Sequence, residues 1–139
     1  ADYKSFLKIN KPKYDDSWER WNRTLDMLKD LDTRTVLRIT LIRNYNDQKE
    51  MIPAFAEMFR KASPHFIEIK SYMHIGRSTN RLEHENMLEM SEVKKFSEQI
   101  AKESKIFSIM DESIVSRISI LQNNERFIDR WIPTYSNTN

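Results

Sequence analysis

Glu68 and Lys70 stand two residues apart in the run Phe66-Ile67-Glu68-Ile69-Lys70-Ser71-Tyr72, which is otherwise apolar enough to be a strand. Side chains alternate across a strand, so Ile67, Ile69, Ser71 and Met73 share one face, and Phe66, Glu68, Lys70 and Tyr72 share the other. An acid and an amine on one face of a central strand are costly to bury unpaired, and their spacing points to a polar cavity. The strand runs on into His74-Ile75-Gly76-Arg77, a polar loop holding the chain's single glycine and suited to covering a ligand. A second run, Thr35 to Ile42, repeats the habit: Leu37, Ile39 and Leu41 face one way, while Val36, Arg38, Thr40 and Ile42 face the other. Ion pairing among Arg38, Glu68 and Lys70 on an open, solvated sheet face accounts for the same residues equally well.

Other candidates have simpler explanations. His65, His74 and His84 are too scattered for a metal set, and surface roles suit them better. Asp111-Glu112 near a strand end could serve as acid and base, though a solvated turn accounts for them more simply. Trp18 and Trp21 read as helix-to-sheet packing rather than a platform for stacked bases. Arg77, Arg81, Lys94 and Lys95 could form a basic rim, and a solvated helix face explains the lysines as well.

The elements that must position these residues follow from periodicity and breakers. A short helix over 1–9 ends at Asn10-Lys11-Pro12, because the residue before proline is pushed out of helical angles. Trp18, Trp21, Leu25 and Leu28 fall at helical spacing after a cap at Asp15 or Asp16, in a helix running to about Leu31. A further helix spans Gln48 to about Ala62, burying Ile52, Phe55, Ala56 and Phe59, with Pro53 tolerated near its first turn. The long polar connection from Ser71 to Met90, with a helical turn around Leu82 to Leu88, is of a length that is usually functional or disordered rather than a spacer. A helix opening at Ser91 buries Val93, Phe96 and Ile100, and two short strands, 105–110 and 116–121, flank Asp111-Glu112-Ser113. The region 1–122 is expected to form the folded unit and 123–139 a tail, docking through Phe127, Ile128 and Trp131 before a frayed Ser136 to Asn139.

Strands alternating with helices imply βαβ crossovers. A doubly wound sheet would be apolar on both faces. One polar face per strand favours an α/β fold of the partial (βα) barrel type, with a mainly parallel sheet and helices on the convex side. Ligands of such barrels sit at the carboxyl ends of the strands. Asn44, Tyr45 and Asn46 from one loop, and His74, Gly76, Arg77, Ser78 and Asn80 from the next, would then ring one mouth.

Composition removes several function classes. With no cysteine, the chain has no disulfide, thiolate nucleophile or sulfur-bound zinc, and cannot itself ligate an iron–sulfur cluster through thiolates. A single glycine in 139 residues leaves no Gly-rich phosphate cradle. A net charge of +2 neither demands nor forbids nucleic acid. A mean hydropathy of -0.72, and apolar runs far below the ~20 residues of a membrane helix, give the expectation of a cytoplasmic protein that does not enter membranes.

Whole phrases of the chain carry a resemblance. Ile9-Asn10-Lys11-Pro12, Ser17-Trp18-Glu19-Arg20-Trp21, Asp32 through Ile42, Phe66 through Met73, Gly76-Arg77-Ser78, Arg81-Leu82, Asn86-Met87, Glu92-Val93, Asp111-Glu112 and Ser116-Arg117 occur in order. Over positions 1–122 the set resembles the C-terminal half of the tRNA 4-demethylwyosine synthases, the radical-SAM enzymes of wybutosine biosynthesis. The chain departs from that family at Leu88 and Met90, where a proline and a histidine are common, and in having no cluster cysteines.

The resemblance implies a partial (βα) barrel that uses S-adenosylmethionine, an iron–sulfur cluster and pyruvate. The product is the tricyclic base formed on N1-methylguanosine of phenylalanine tRNA, with a lysine holding pyruvate as a Schiff base; that lysine is not assigned to Lys70. It places Arg38, Thr40, Asn44, Glu68 and Lys70 toward the cofactor, and Arg77, Ser78, Asn80, Arg81 and Asn86 toward the tRNA. This chain would be a fragment lacking the cluster-bearing N-terminal half. It would supply the substrate-side wall and is not expected to be catalytic alone. The alternative is a stand-alone RNA- or partner-binding module without catalysis, as a homodimer or with an obligate partner that covers its open sheet edge.

Overall fold

The computed structural model describes residues 2–131. Helix α1 (Tyr3–Asn10) starts where the Asp2 carboxylate accepts the Ser5 N–H at 2.8 Å, and ends at Lys11, whose left-handed backbone (φ 45°) returns its N–H to Leu7 O. Helix α2 (Ser17–Leu28) follows the Asp16 cap, whose carboxylate takes the Arg20 side chain rather than a backbone N–H. Strand β1 (Val36–Leu41) leads through a 3₁₀ turn, Lys49–Met51, into α3 (Ile52–Ala62), with Pro53 in its first turn. Strand β2 (Phe66–Ser71) is followed by two 3₁₀ turns, Gly76–Asn80 and His84–Asn86, and then α4 (Met90–Ser104). With one glycine in the chain, the left-handed helix caps fall to Lys11, Ser63 and Lys105.

The last two strands differ from expectation. They are β3 (Phe107–Ser113) and β4 (Ile118–Asn123), so Asp111 and Glu112 lie within a strand, past a bulge between Ile109 and Asp111, and not in a turn. The Asp111 carboxyl is held below its usual range, chiefly by the Arg130 side chain hydrogen-bonded to it, which suits a structural anion rather than a base. Strand order is β1-β2-β4-β3. Only β1 and β2 are parallel; β4 runs antiparallel to both β2 and β3. The sheet is therefore mixed, not mainly parallel, because α4 delivers the chain to the far edge and the hairpin brings it back beside β2.

Helices α3 and α4 cover the apolar face of the sheet, while the C-terminal end of α1 reaches the other face. Ile39, Leu41, Ile67, Ile69 and Leu121 pack against Phe55, Phe59, Val93, Phe96 and Ile100 from α3 and α4. On the opposite face Arg38 stands beside Glu68 and Thr40 beside Lys70, with Ile120 and Ile118 next along the sheet. Trp18 and Trp21 stack on each other at 5.5 Å, and α1 supplies Phe6 and Tyr3 edge-on to Trp18 at 5.2 and 5.7 Å. The pair thus serves chiefly to seat α1 on α2. Phe127 and Trp131 remain largely exposed and do not dock the tail; the stretch Ser136 to Asn139 lies outside the described residues. Among the described residues no helix is long and apolar enough to cross a membrane.

His65 is buried at the entry to β2. Its Nδ1 accepts the Thr35 backbone N–H at 3.2 Å, and the Thr35 hydroxyl lies 3.0 Å from the same nitrogen. Burial lowers its pKa, helped by the Arg126 and Arg34 charges. The unfolded chain then takes up a proton, near pH 6.5, before the folded one does. This stabilisation is present above about pH 6.5 and is lost as pH falls through the folded value. The thermal midpoint should drop between pH 7.5 and 5.5, and His65→Asn should flatten that dependence. A flat profile in the parent chain would remove histidine as the cause.

Candidate functional site

A cleft of about 560 Å³ lies at the carboxyl ends of β1 and β2. Thr40 and Ile42 of β1 and its extension form its floor with Lys70, Tyr72 and Met73. Tyr45 comes from the loop after β1, and Ile75, Ser78, Arg81 and Leu82 from the segment after β2. The C-terminal end of α1 closes the remaining side with Lys8, Ile9 and Lys11. Ile9 reaches the apolar cluster of Ile42, Tyr72 and Leu82, which ties helix, strands and loop together at this point.

The electrostatics of the cleft are one-sided. Its lining includes Lys8, Lys11, Lys70 and Arg81 and no carboxylate. Among the described residues none of these four takes part in an ion pair, in contrast to Arg38, Arg43 and Arg117. The Lys8 ammonium instead sits 4.3 Å over the Tyr45 ring, a cation–π contact that holds the amine without neutralising it. Such a surface suits an anion whose charge is spread along the cleft and whose apolar parts meet Tyr72, Ile42 and Leu82.

A second, smaller cleft of about 310 Å³ lies between α1, α2 and β1, lined by Trp18, Trp21, Leu37 and Arg38. Arg38 reaches across to Glu68 at 2.8 Å, with the arginine side chain 62% exposed and the glutamate 13%. The paired-face explanation of these two residues is therefore the observed one, while Lys70 makes no ion pair with Glu68. The other glutamate oxygen, Oε1, is buried without a hydrogen-bond partner.

The loops around the mouth are held by residues that, Ser71 apart, do not line it. Asn46 accepts the Ile42 N–H at 2.7 Å and donates to Thr40 O at 2.9 Å, fixing the end of β1. Asn44 takes a left-handed turn (φ 67°) and donates its N–H to Asp47, away from the cleft. Arg43 donates to both Glu92 oxygens at 2.6 Å and to the carbonyls of Glu85 and Met87. Asn86 accepts the Glu83 N–H and donates to Arg43 O. Ser71, fully buried, accepts the Leu88 N–H at 2.8 Å. Together these bonds fasten the segment between β2 and α4 to the ends of both parallel strands.

Of the residues expected toward the cofactor, Thr40 and Lys70 line the main cleft, Arg38 lines the smaller one, Glu68 is paired with Arg38, and Asn44 is turned away. Of those expected toward tRNA, Ser78 and Arg81 line the main cleft, while Arg77 and Asn80 stand exposed outside it and Asn86 holds the loop. Lys8, Ile9 and Lys11 were missed. Ile9 and Lys11 entered the sequence reading within the phrase Ile9-Asn10-Lys11-Pro12, without a site role, since no local rule says which neighbour a short helix will meet. Among the described residues no three His, Cys, Asp or Glu side chains gather as a metal site.

A family profile described as wyosine base formation matches residues 61–123. Similarity extends further in the curated proteins. An S-adenosyl-L-methionine-dependent tRNA 4-demethylwyosine synthase of Methanocaldococcus jannaschii is 44% identical over 112 residues, covering 81% of this chain and 34% of that protein. Its counterpart in Pyrococcus abyssi is 35% identical, covering 89% and 36%. A solved structure of TYW1 with a lysine–pyruvate adduct bound superposes with a TM-score of 0.81 at 40% identity, covering 91% of this chain and 39% of that one. The chain thus spans about a third of the length of the curated relatives it matches.

Proposed function

The chain belongs to the tRNA 4-demethylwyosine synthase family, of which it matches a C-terminal part, and from that premise we propose that it forms the substrate-side wall of a tRNA-modifying active site. The observation that carries this is the cleft at the strand ends, with four unpaired cations and no carboxylate in its lining. RNA offers the matching chemistry, a line of phosphates with rings and ribose hydroxyls between them. In the whole enzyme the substrate would be phenylalanine tRNA carrying N1-methylguanosine, and the setting cytoplasmic. The sheet would be one wall of a partial barrel, in keeping with α3 and α4 together on its apolar side and a β1 edge unpaired among the described residues.

An iron–sulfur cluster does not fit the residues present. The chain has no cysteine, so cluster thiolates would come from outside it, and this wall is not catalytic alone. S-adenosylmethionine fits better: the buried, unpartnered Glu68 Oε1 could receive its ammonium group, with Thr40 two residues along β1 from the Arg38 that pairs with Glu68. When bound it supplies the sulfonium chemistry, while the chain's own residues bind and orient. Arg38 holds Glu68 in place through their ion pair. Lys70, the next position on that face toward the strand end, lines the cationic cleft, where it would meet an anionic ligand. Asn44 and Asn86 act by shaping loops; Arg77 and Asn80, at the rim, would meet RNA beyond the cleft.

Binding of a phenylalanine tRNA transcript to the 139-residue chain tests this proposal. Affinity should fall with salt, and Lys70→Ala or Arg81→Ala should each lessen the slope of log K against log salt by about 0.7–0.9. Binding that is absent, or that does not respond to salt, would overturn it.

A further inference from the structure

The cleft owes two of its four cations to α1, a helix with no fully buried residue. Its N-terminal half is seated on α2 through Tyr3 and Phe6, and its C-terminal half meets the strand ends through Ile9. That leaves Lys8, in the last turn, and Lys11, at the left-handed cap, lining the cleft together with Ser78 and Arg81 of the segment after β2. Cations at a helix C-terminus also complement its dipole, which is the competing explanation for both lysines. The dipole alone does not require the Lys8 ammonium to lie over Tyr45 at the cleft wall, nor the cleft to exclude carboxylates.

We infer that Lys8 and Lys11 grip the RNA backbone opposite Arg81, so that a stretch of phosphodiester chain crosses the cleft between α1 and the segment after β2, above Lys70. This rests on the reading of the cleft as an RNA site and extends it to α1, an element to which the sequence assigned no site role. Because Lys8 is held by a ring rather than a carboxylate, moving it to a phosphate breaks no ion pair. α1 is then part of the recognition surface and not a linker.

The test compares the parent chain, Lys8→Ala/Lys11→Ala, Lys70→Ala/Arg81→Ala and the control Lys29→Ala/Lys102→Ala, whose lysines end α2 and α4. Each is titrated with phenylalanine tRNA transcript at 50 to 200 mM salt, with thermal midpoints and helicity recorded. Loss of two phosphate contacts predicts a slope smaller by about 1.4–1.8 and roughly tenfold weaker binding at the low-salt end for the α1 variant, with the control unchanged. If the α1 variant matches the parent while Lys70→Ala/Arg81→Ala weakens binding, the inference fails and the RNA site stands. If neither cleft variant differs from the control, both fail. A weaker α1 variant with an unchanged slope and a lower midpoint would show a structural role instead and overturn the inference.

Discussion

Replacing Phe59 with alanine is expected to lower the unfolding free energy by about 3–5 kcal/mol. Phe59 is 1% exposed on the inner face of α3. Its ring stands 6.1 Å from Phe55 and 6.5 Å from Phe107, the residue that begins β3, so it joins the helix layer to the far edge of the sheet. Truncation loses the transfer energy of the ring and leaves a void that helices held by Leu121, Ile67 and Ile100 cannot fully close. Since small domains are stable by only about 5–15 kcal/mol, the variant should be marginal at 37 °C. Urea denaturation would show a lower midpoint with an unchanged m-value. A loss under about 1 kcal/mol would contradict the packing of α3 on the sheet. The cleft lies on the other face, so tRNA affinity measured at a temperature where the variant is folded should equal the parent's.

Arg43→Ala should act the other way, with a smaller cost in stability and a larger one at the site. Arg43 donates to two backbone carbonyls and both Glu92 oxygens, and its removal strips these bonds from the carbonyls and from Glu92 Oε1, while Oε2 keeps only the Glu89 N–H. With 34% and 38% of the two side chains exposed, water recovers part of this, and we expect about 2 kcal/mol. The larger effect is local. Residues 83–89 lose their tether to β1, and Ser78 and Arg81 lose a fixed position. Amide hydrogen exchange across 74–89 should rise about tenfold or more, while α3 and β2 stay protected. Arg43→Lys should rescue little, because an ammonium cannot present the two-pronged fork that Glu92 and the carbonyls receive. Glu92 is held below the usual carboxylate range mainly by that arginine, so the tether is present at neutral pH and is lost as pH falls through the folded value. Unchanged exchange in 74–89 would mean that Asn86, Ser71 and Arg117 suffice to hold the loop.

Much of this was legible from residue order. Alternation in Leu37–Leu41 and Ile67–Ser71 marked both parallel strands and their apolar face, because period-two patterning reports which side is dry. Spacing of Phe55, Phe59, Phe96 and Ile100 marked the helix faces for the same reason. The strand direction of β4 was not legible. Whether a strand joins parallel or antiparallel depends on where its hairpin returns, and the bulge past Ile109 that extends β3 through Asp111 and Glu112 has no local signature. The polar pattern of Arg38, Glu68 and Lys70 indicated a special face, but only register shows that arginine takes the glutamate and leaves the lysine unpaired.

What the sequence alone determined, then, is the set of elements, the dry side of the sheet, the phrase-level kinship and, through the missing cysteines, the chemistry this chain cannot supply. Tertiary structure decided which charges are spent on each other and which are left over. Arg43 and Arg38 look as available as Lys8 and Lys11 in a list of residues, yet carboxylates thirty and forty-nine positions away claim the first two. Pairing of that kind is a property of distance in space, and local patterns carry no record of it.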